Sequence, residues 1–198
     1  VSHDLRLPLT RLRLRLEQLP EGESRSAMQR DIEEMDAMVG GTLDYLRAGS
    51  DTEQAVKLNL NALVEGLAED AEAAGAKVSL HGTALPVTAR PQALRRCLAN
   101  LIDNARRYGG GEIEVTIADS AASVEIRIAD RGPGIPAGER ERVFEPYVRL
   151  EASRARHTGG TGLGLAIARA VARAHGGEVT LAPGESGGTA AILTLPRR

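Results

Sequence analysis

Aromatic side chains are nearly missing from this 198-residue chain: 2% of the total, with no tryptophan. Hydrophobic residues still make up 42%, enough for a sizeable core, so that core must be built from Leu, Val, Ile and Ala. A single cysteine, Cys97, excludes a disulfide framework, and no zinc-type spacing occurs. A reducing compartment fits. No apolar run is long enough to span a bilayer, and no signal-peptide pattern is present. The net charge of −2 argues against nucleic acid or an anionic membrane as the main partner. The basic run Arg11, Arg13 and Arg15 is balanced by acids downstream and reads as a solvated face. The chain opens inside a periodic pattern with no helix-start signal before it, which suggests a fragment of something longer.

Residues 1 to about 55 carry no strand pattern. Leu5, Leu9, Leu12, Leu16 and Leu19 recur at helical spacing, Pro20, Glu21 and Gly22 interrupt, and Met28, Ile32, Met35, Val39, Thr42 and Leu46 resume the rhythm. Two heptad-like helices joined by a short turn predict an antiparallel hairpin. A lone hairpin buries little surface, so its open apolar side should meet a second copy in a dimeric four-helix bundle. The alternative is packing on the rest of the same chain.

From residue 56 to 198 the pattern changes. β-like runs appear as KVSLHG, LPVTA, EIEVTIAD, SVEIRIAD, EVTLAP and TAAILTL, with helical stretches near 59–73, 91–107 and 162–175. This mixture predicts an α/β sandwich with one mixed sheet and helices on one face. The segment AGSDTEQA, residues 48–55, is the expected linker. The fold class is therefore α+β in two domains.

Four stretches could carry chemistry. In VSHDLRLPLT, His3 falls about 200° around the helix from Leu5, on the outer face. A neutral imidazole has a free lone pair for nucleophilic attack, and Asp4 could fix its tautomer and stabilise the charge that develops. The alternative is an exposed, idle histidine. In PQALRRCLANLIDNARRYG, Leu94, Cys97, Leu98, Leu101, Ile102 and Ala105 form an apolar stripe. Asn100, Asp103, Asn104 and Arg107 form a polar one. Amide oxygens suit Mg²⁺ and its waters, and an arginine one turn on could meet phosphate; a plain exposed face is the other reading. In IADRGPGIP, Asp130 ends a β-run before a Gly-Pro-Gly turn and could accept from an exocyclic amine. In HTGGTGLGLAIARAV, Gly159, Gly160, Gly162 and Gly164 lead into a helix, where bare amides suit phosphate oxygens. The preceding EPYVRLEASRARHTGG is polar and basic, like a mobile lid.

Together these stretches resemble bacterial two-component sensor histidine kinases. SHDLRLPLTRLRL is similar to the phosphoacceptor box, NLIDNARRYG to the N box, DRGPGIP to the first glycine box, VFEPYVR to the F box and GGTGLGLAI to the second glycine box, all in family order. The phrasing is most similar to the osmosensor EnvZ branch. The resemblance implies a dimerisation and histidine-phosphotransfer hairpin followed by a GHKL (Bergerat) ATP-binding domain. It implies ATP and Mg²⁺, autophosphorylation on His3 assisted by Asp4, and transfer to an aspartate of a response-regulator receiver domain. It assigns Mg²⁺ to Asn104, with Asn100 in the same box, phosphate to Arg107, and the nucleotide ring to Tyr108. Asp130 takes the adenine amine beside Gly132, Gly134 and Ile135. Phe144 marks the lid hinge. Gly160, Thr161, Gly162, Leu163 and Gly164 form the phosphate side, and Arg149 and Arg154 are lid candidates for the γ-phosphate. The full-length protein would lie on the cytoplasmic side of the bacterial inner membrane, with membrane contact only through segments outside this soluble portion.

One position departs from the family. Four residues after the histidine, where Thr or Asn orients a water for dephosphorylating the regulator, this chain has Leu7. Kinase activity is expected with phosphatase activity weakened. Competing classes are a GHKL-type ATPase, an anti-sigma serine kinase and a catalytically inactive dimeric scaffold. The histidine box argues against the first two, and the intact nucleotide boxes against the third.

Overall fold

The computed structural model of the chain describes residues 2–48, 53–150, 160–184 and 187–197, with side chains over the same spans except 2–6 and Ala48. Helices α1 (Ser2–Glu17) and α2 (Glu23–Ala48) lie against each other. The break between them falls on Pro20 to Gly22, where proline and glycine end a helix. Arg13 on α1 bonds Asp36 on α2 at 3.0 Å.

The buried hairpin positions are Leu9, Leu16, Ile32 and Leu43. The seam read from the sequence is therefore only half covered. Leu12 is 41% exposed, and Leu19, Met28, Met35 and Leu46 are also open. Leu5 lies outside the described side chains. Two helices in contact bury only one stripe of each, and the remaining stripe faces outward.

The rest of the chain runs β1 (Val56–Leu58), α3 (Leu60–Ala73), β2 (Lys77–His81), β3 (Val87–Ala89), α4 (Pro91–Tyr108), β4 (Glu112–Asp119), β5 (Ser123–Asp130), α5 (Gly164–Ala174), β6 (Glu178–Pro183) and β7 (Thr189–Pro196). Five strands form one mixed sheet in the order β2-β4-β5-β7-β6. β2 runs parallel to β4, and the other pairs are antiparallel. The single expected sheet needs one correction: the LPVTA run supplies β3, which pairs with β1 in a separate two-stranded sheet. Pro91 starts a helix two residues after β3 ends, which keeps the strand to three residues.

Strict alternation puts Ile113, Val115 and Ile117 of β4 and Val124, Ile126 and Ile128 of β5 on one face. That face is covered by Leu60, Val64 and Leu67 of α3, Leu94, Leu98 and Leu101 of α4, and Ile167 and Val171 of α5. The apolar stripe read in α4 is buried in full. Cys97 belongs to it: its thiol donates to the Ala168 carbonyl at 3.4 Å, and burial pushes its pKa up to about 12. It is a core residue and no nucleophile.

An ion-pair node fastens α5 to its surroundings. Arg169 donates to Glu178 at 2.8 Å and to Glu141 at 2.5 Å, and its guanidinium stacks 4.3 Å from the Phe144 ring centroid. Burial pushes the Glu178 carboxyl up, but hydrogen bonds from Arg169 and Arg173 outweigh it, and the net shift is downward. A carboxyl lowered in the folded state contributes stability above its unfolded pKa and loses it as pH falls through the folded value. Glu178→Gln should lower Tm by about 2–4 °C at pH 7, for about 1 kcal/mol in a chain of this size. That difference should fade below about pH 4, as followed by thermal melts over a pH series.

Candidate functional site

The ends of α4 and β5 are stitched together. Asp130 closes β5, and its Oδ1 accepts from the backbone N–H of Gly132 at 2.8 Å and of Thr189 at 3.2 Å. Among the described residues nothing donates to Oδ2, so one carboxylate oxygen is fixed and the other is available. Arg131 N–H donates to the Gly109 carbonyl at 3.2 Å. Gly132 packs directly on the Tyr108 carbonyl, where a Cβ would overlap; only glycine allows that approach. Gly134 and Ile135 continue the turn, and the Ile135 carbonyl accepts from Arg140 at 3.0 Å.

Asn100 and Asn104 lie one turn apart on α4, both half-buried. Neither amide hydrogen-bonds to any described residue. A half-buried amide with no partner among the described residues is free to bond water or a ligand. Its neutral oxygen matches what Mg²⁺ takes when most of its shell is phosphate and water. No cluster of three or more His, Cys, Asp or Glu gathers among the described residues. Arg107 is engaged within its own helix: its Nε donates to Asp103 at 2.6 Å, and Arg106 holds the other Asp103 oxygen at 2.7 Å.

The second glycine stretch closes over this helix. The Tyr108 hydroxyl lies 2.9 Å from where a Cβ on Gly160 would stand, and Asn100 Oδ1 lies 3.5 Å from the same point on Gly164. Gly162 has φ +72°, and the Tyr147 backbone fills the space beside it. Tyr147 N–H donates to the Gly162 carbonyl at 2.9 Å while Tyr147 itself holds φ +65°. A non-glycine residue there is held by its surroundings. Leu163 is 1% exposed, and Thr161 and Arg149 are half-buried. Phe144 is buried under Arg169. Arg154 lies outside the described residues.

This loop also meets the hairpin. A Cβ on Gly41 of α2 would sit 2.9 Å from Leu163 Cδ1. Thr42 Oγ1 donates to the Met38 carbonyl at 2.6 Å, and 3.0 Å separates it from the Tyr147 hydroxyl. Asp44 pairs with Arg96 of α4 at 3.4 Å. His3 lies in the backbone of α1, but its side chain and that of Asp4 lie outside the described residues, so the expected solvent-facing imidazole does too. In the antiparallel hairpin, His3 and Leu46 stand equally far beyond the Arg13–Asp36 bond. The α1 end that carries His3 is thus level with the part of α2 that meets the glycine loop. Leu7, one turn along from His3, is 40% exposed.

A cavity of about 360 Å³ opens on the sheet's outer face, lined by Lys77, Ser79, Glu112, Glu114, Arg127 and Asp130 among others. The α4 asparagines do not line it, and Glu112 is paired there with Arg131 at 2.8 Å.

The structure thus brings Asn100, Tyr108, Asp130, Gly132, Gly160 and Gly164 to one end of the sandwich. The sequence reading missed Gly109, Gly188 and Thr189, which cage Asp130. The Gly-Gly-Thr opening of β7 was the available signal. It also missed the meeting of Thr42 with Tyr147, 105 positions apart, which leaves no local pattern.

The family described as "Histidine kinase-, DNA gyrase B-, and HSP90-like ATPase" matches residues 89–198. The chain is 39% identical over its whole length to the sensor histidine kinase GtrS of Pseudomonas aeruginosa, spanning 41% of that protein. It is 35% identical to the sensor protein RstB of Escherichia coli, over 99% of the chain and 47% of RstB. Among solved structures, full-length ShkA in complex with AMPPNP superposes on 99% of the chain with a TM-score of 0.76 and 28% identity, the match covering 44% of that protein. The chain therefore spans less than half the length of GtrS, RstB or ShkA.

Proposed function

The chain belongs to the histidine kinase-, DNA gyrase B- and HSP90-like ATPase family, among its sensor histidine kinases, and from that premise we propose that it is a kinase core phosphorylating itself on His3. The observation that carries the reading is the pairing of Asp130, one oxygen fixed and the other not engaged by any described residue, with two asparagines on the adjoining helix that no described residue bonds. Such a site offers an acceptor for the adenine amine at one end and neutral amide oxygens toward the phosphates.

Residues 1–55 act as the phosphotransfer hairpin and residues 56–198 as the ATP-binding domain. Asp130 Oδ2 accepts from the adenine amine, and Tyr108 lies along the ring. The open amides of Thr161 to Gly164 face the phosphates. Asn104 would hold Mg²⁺, which when bound neutralises phosphate charge and orients the terminal group. A ring nitrogen of His3 attacks the γ-phosphorus, the new N–P bond forms as the bond to the β-phosphate oxygen breaks, and ADP leaves. Asp4 accepts a hydrogen bond from the N–H of the other ring nitrogen, balances the positive charge that develops there, and takes that proton as the phosphohistidine forms. Positioning supplies most of the rate. The phosphoryl group then passes to an aspartate of a response-regulator receiver domain.

The exposed hairpin residues Leu12, Leu19, Met28, Met35 and Leu46 support a homodimer through a four-helix bundle. No helix among the described residues is long and apolar enough to cross a membrane. Attachment to the inner membrane would come from segments beyond this portion. A GHKL-type ATPase would release phosphate to solution; a kinase retains it on protein. Incubation with [γ-³²P]ATP should leave label on the chain that survives alkali and is lost in acid. Free phosphate with no protein-bound label would favour the ATPase.

Leu7 presents no hydrogen-bonding group beside the phosphorylated position. Dephosphorylation of a purified phospho-regulator with ADP present should be slow, and Leu7→Thr should speed it about tenfold or more, the scale of one positioned polar group. Brisk loss in the parent that Leu7→Thr leaves unchanged would count against this assignment.

A further inference from the structure

The helix that carries the asparagines has no cap of its own. Arg90 stands at its N-cap position without a side-chain capping bond, and the first turn contains no acid. Pro91 at the first helical position removes one donor, but Gln92 and Ala93 still present theirs. Both are satisfied from outside the helix. Gln92 N–H donates to Glu53 Oε1 at 2.7 Å, and Ala93 N–H donates to Glu53 Oε2 at 3.0 Å. A carboxylate is well suited to the positive end of a helix.

Glu53 belongs to the linker, five residues past the end of α2. We infer that Glu53 is an interdomain clamp: by capping α4 it shortens the tether between hairpin and sandwich domain and holds the two docked. With Glu53 fixed, Ala48 and the clamp are at most about 18 Å apart, five residues of extended chain. Without it, the next anchored residue after Glu53 among the described ones is Val56, paired with Ala89. The tether then grows to eight residues, about 29 Å at full extension. Effective concentration falls as the −3/2 power of tether length or more steeply, which is about twofold here. The contacts that depend on docking are Thr42 with Tyr147, Asp44 with Arg96, and Gly41 against Leu163. An aspartate at position 90 would cap α4 without restoring Glu53's hold on the linker, and it would give up the Arg90 bond to the Ala174 carbonyl at 2.9 Å. That difference separates a clamp from a mere cap.

The test is hydrogen exchange by mass spectrometry on the parent, Glu53→Ala, Arg90→Asp, and the two together, the Arg90→Asp chain giving the baseline for loss of the Arg90 bond to Ala174. Glu53→Ala should speed exchange at residues 92–95 and, by about twofold or more, at residues 41–47 of α2 and 161–167 of the glycine loop. Arg90→Asp should restore 92–95 and leave 41–47 and 161–167 fast. Unchanged docking amides in Glu53→Ala, or their recovery with Arg90→Asp, would overturn the clamp. The doubly substituted chain keeps α4 capped, so the comparison survives if Glu53→Ala alone is poorly folded. The measurement reads docking and not phosphoryl transfer, so it is decided separately from the kinase activity.

Discussion

Asp130→Asn should lower affinity for an ATP analogue about a hundredfold while leaving the fold intact. The two oxygens of Asp130 have different tasks. Oδ1 is tied to Gly132 N–H and Thr189 N–H, and an asparagine oxygen can keep both bonds. The other position becomes an NH₂ group, which faces the adenine amine donor to donor. Losing a hydrogen bond to a charged acceptor and leaving donors unpaired costs about 3 kcal/mol, a little over two decades in Kd. Isothermal titration with a non-hydrolysable analogue reads the loss, and a thermal melt checks the fold. A Kd within threefold of the parent at equal Tm would remove Asp130 from the adenine pocket.

His3→Gln should reduce protein-bound phosphate to background while binding the same analogue with unchanged affinity. Glutamine has the length and polarity of histidine but no nucleophilic nitrogen at neutral pH, so the loss should exceed a thousandfold, beyond what positioning alone leaves behind. Affinity should stay because the proposed nucleotide contacts come from α4, β5 and the loop before α5, none of which contains position 3. The two substitutions split the account cleanly: Asp130→Asn should remove binding and hence labelling, His3→Gln labelling alone. A His3→Gln chain that still gains an acid-labile phosphoryl group would place the acceptor elsewhere.

Much of the sandwich was legible because its signals are local. Ile113, Val115 and Ile117 alternate in β4, and Leu94, Leu98, Leu101 and Ala105 recur on α4; both patterns are direct consequences of side-chain period. Gly132 and Gly162 were legible as turns, though not the reasons, which are the Tyr108 carbonyl and the Tyr147 backbone pressing on them. The hairpin was legible as helices but less well as a seam. Periodicity marks apolar positions without saying which partner covers them, and Leu12 and Met35 are left open by the single chain. β3 was placed in the wrong sheet because strand propensity carries no information about pairing. The contacts of Glu53, Thr42 and Tyr147 join residues 39 to 105 positions apart through ordinary polar groups. No spacing rule reaches across such separations.

Arg107 shows the reverse case. Its position in the N box implies phosphate, yet in the structure its Nε rests on Asp103. A nucleotide phosphate would have to compete with that carboxylate.

The most direct measurement is to locate the phosphoryl group by tandem mass spectrometry, on peptides generated at neutral to alkaline pH after brief incubation with ATP and Mg²⁺. The account predicts a single modification of +80 Da, the mass of HPO₃, on the peptide containing Ser2 to Arg6, with fragment ions that assign it to His3. A phosphoryl group on any other residue, or ATP turnover with that peptide unmodified, would contradict it.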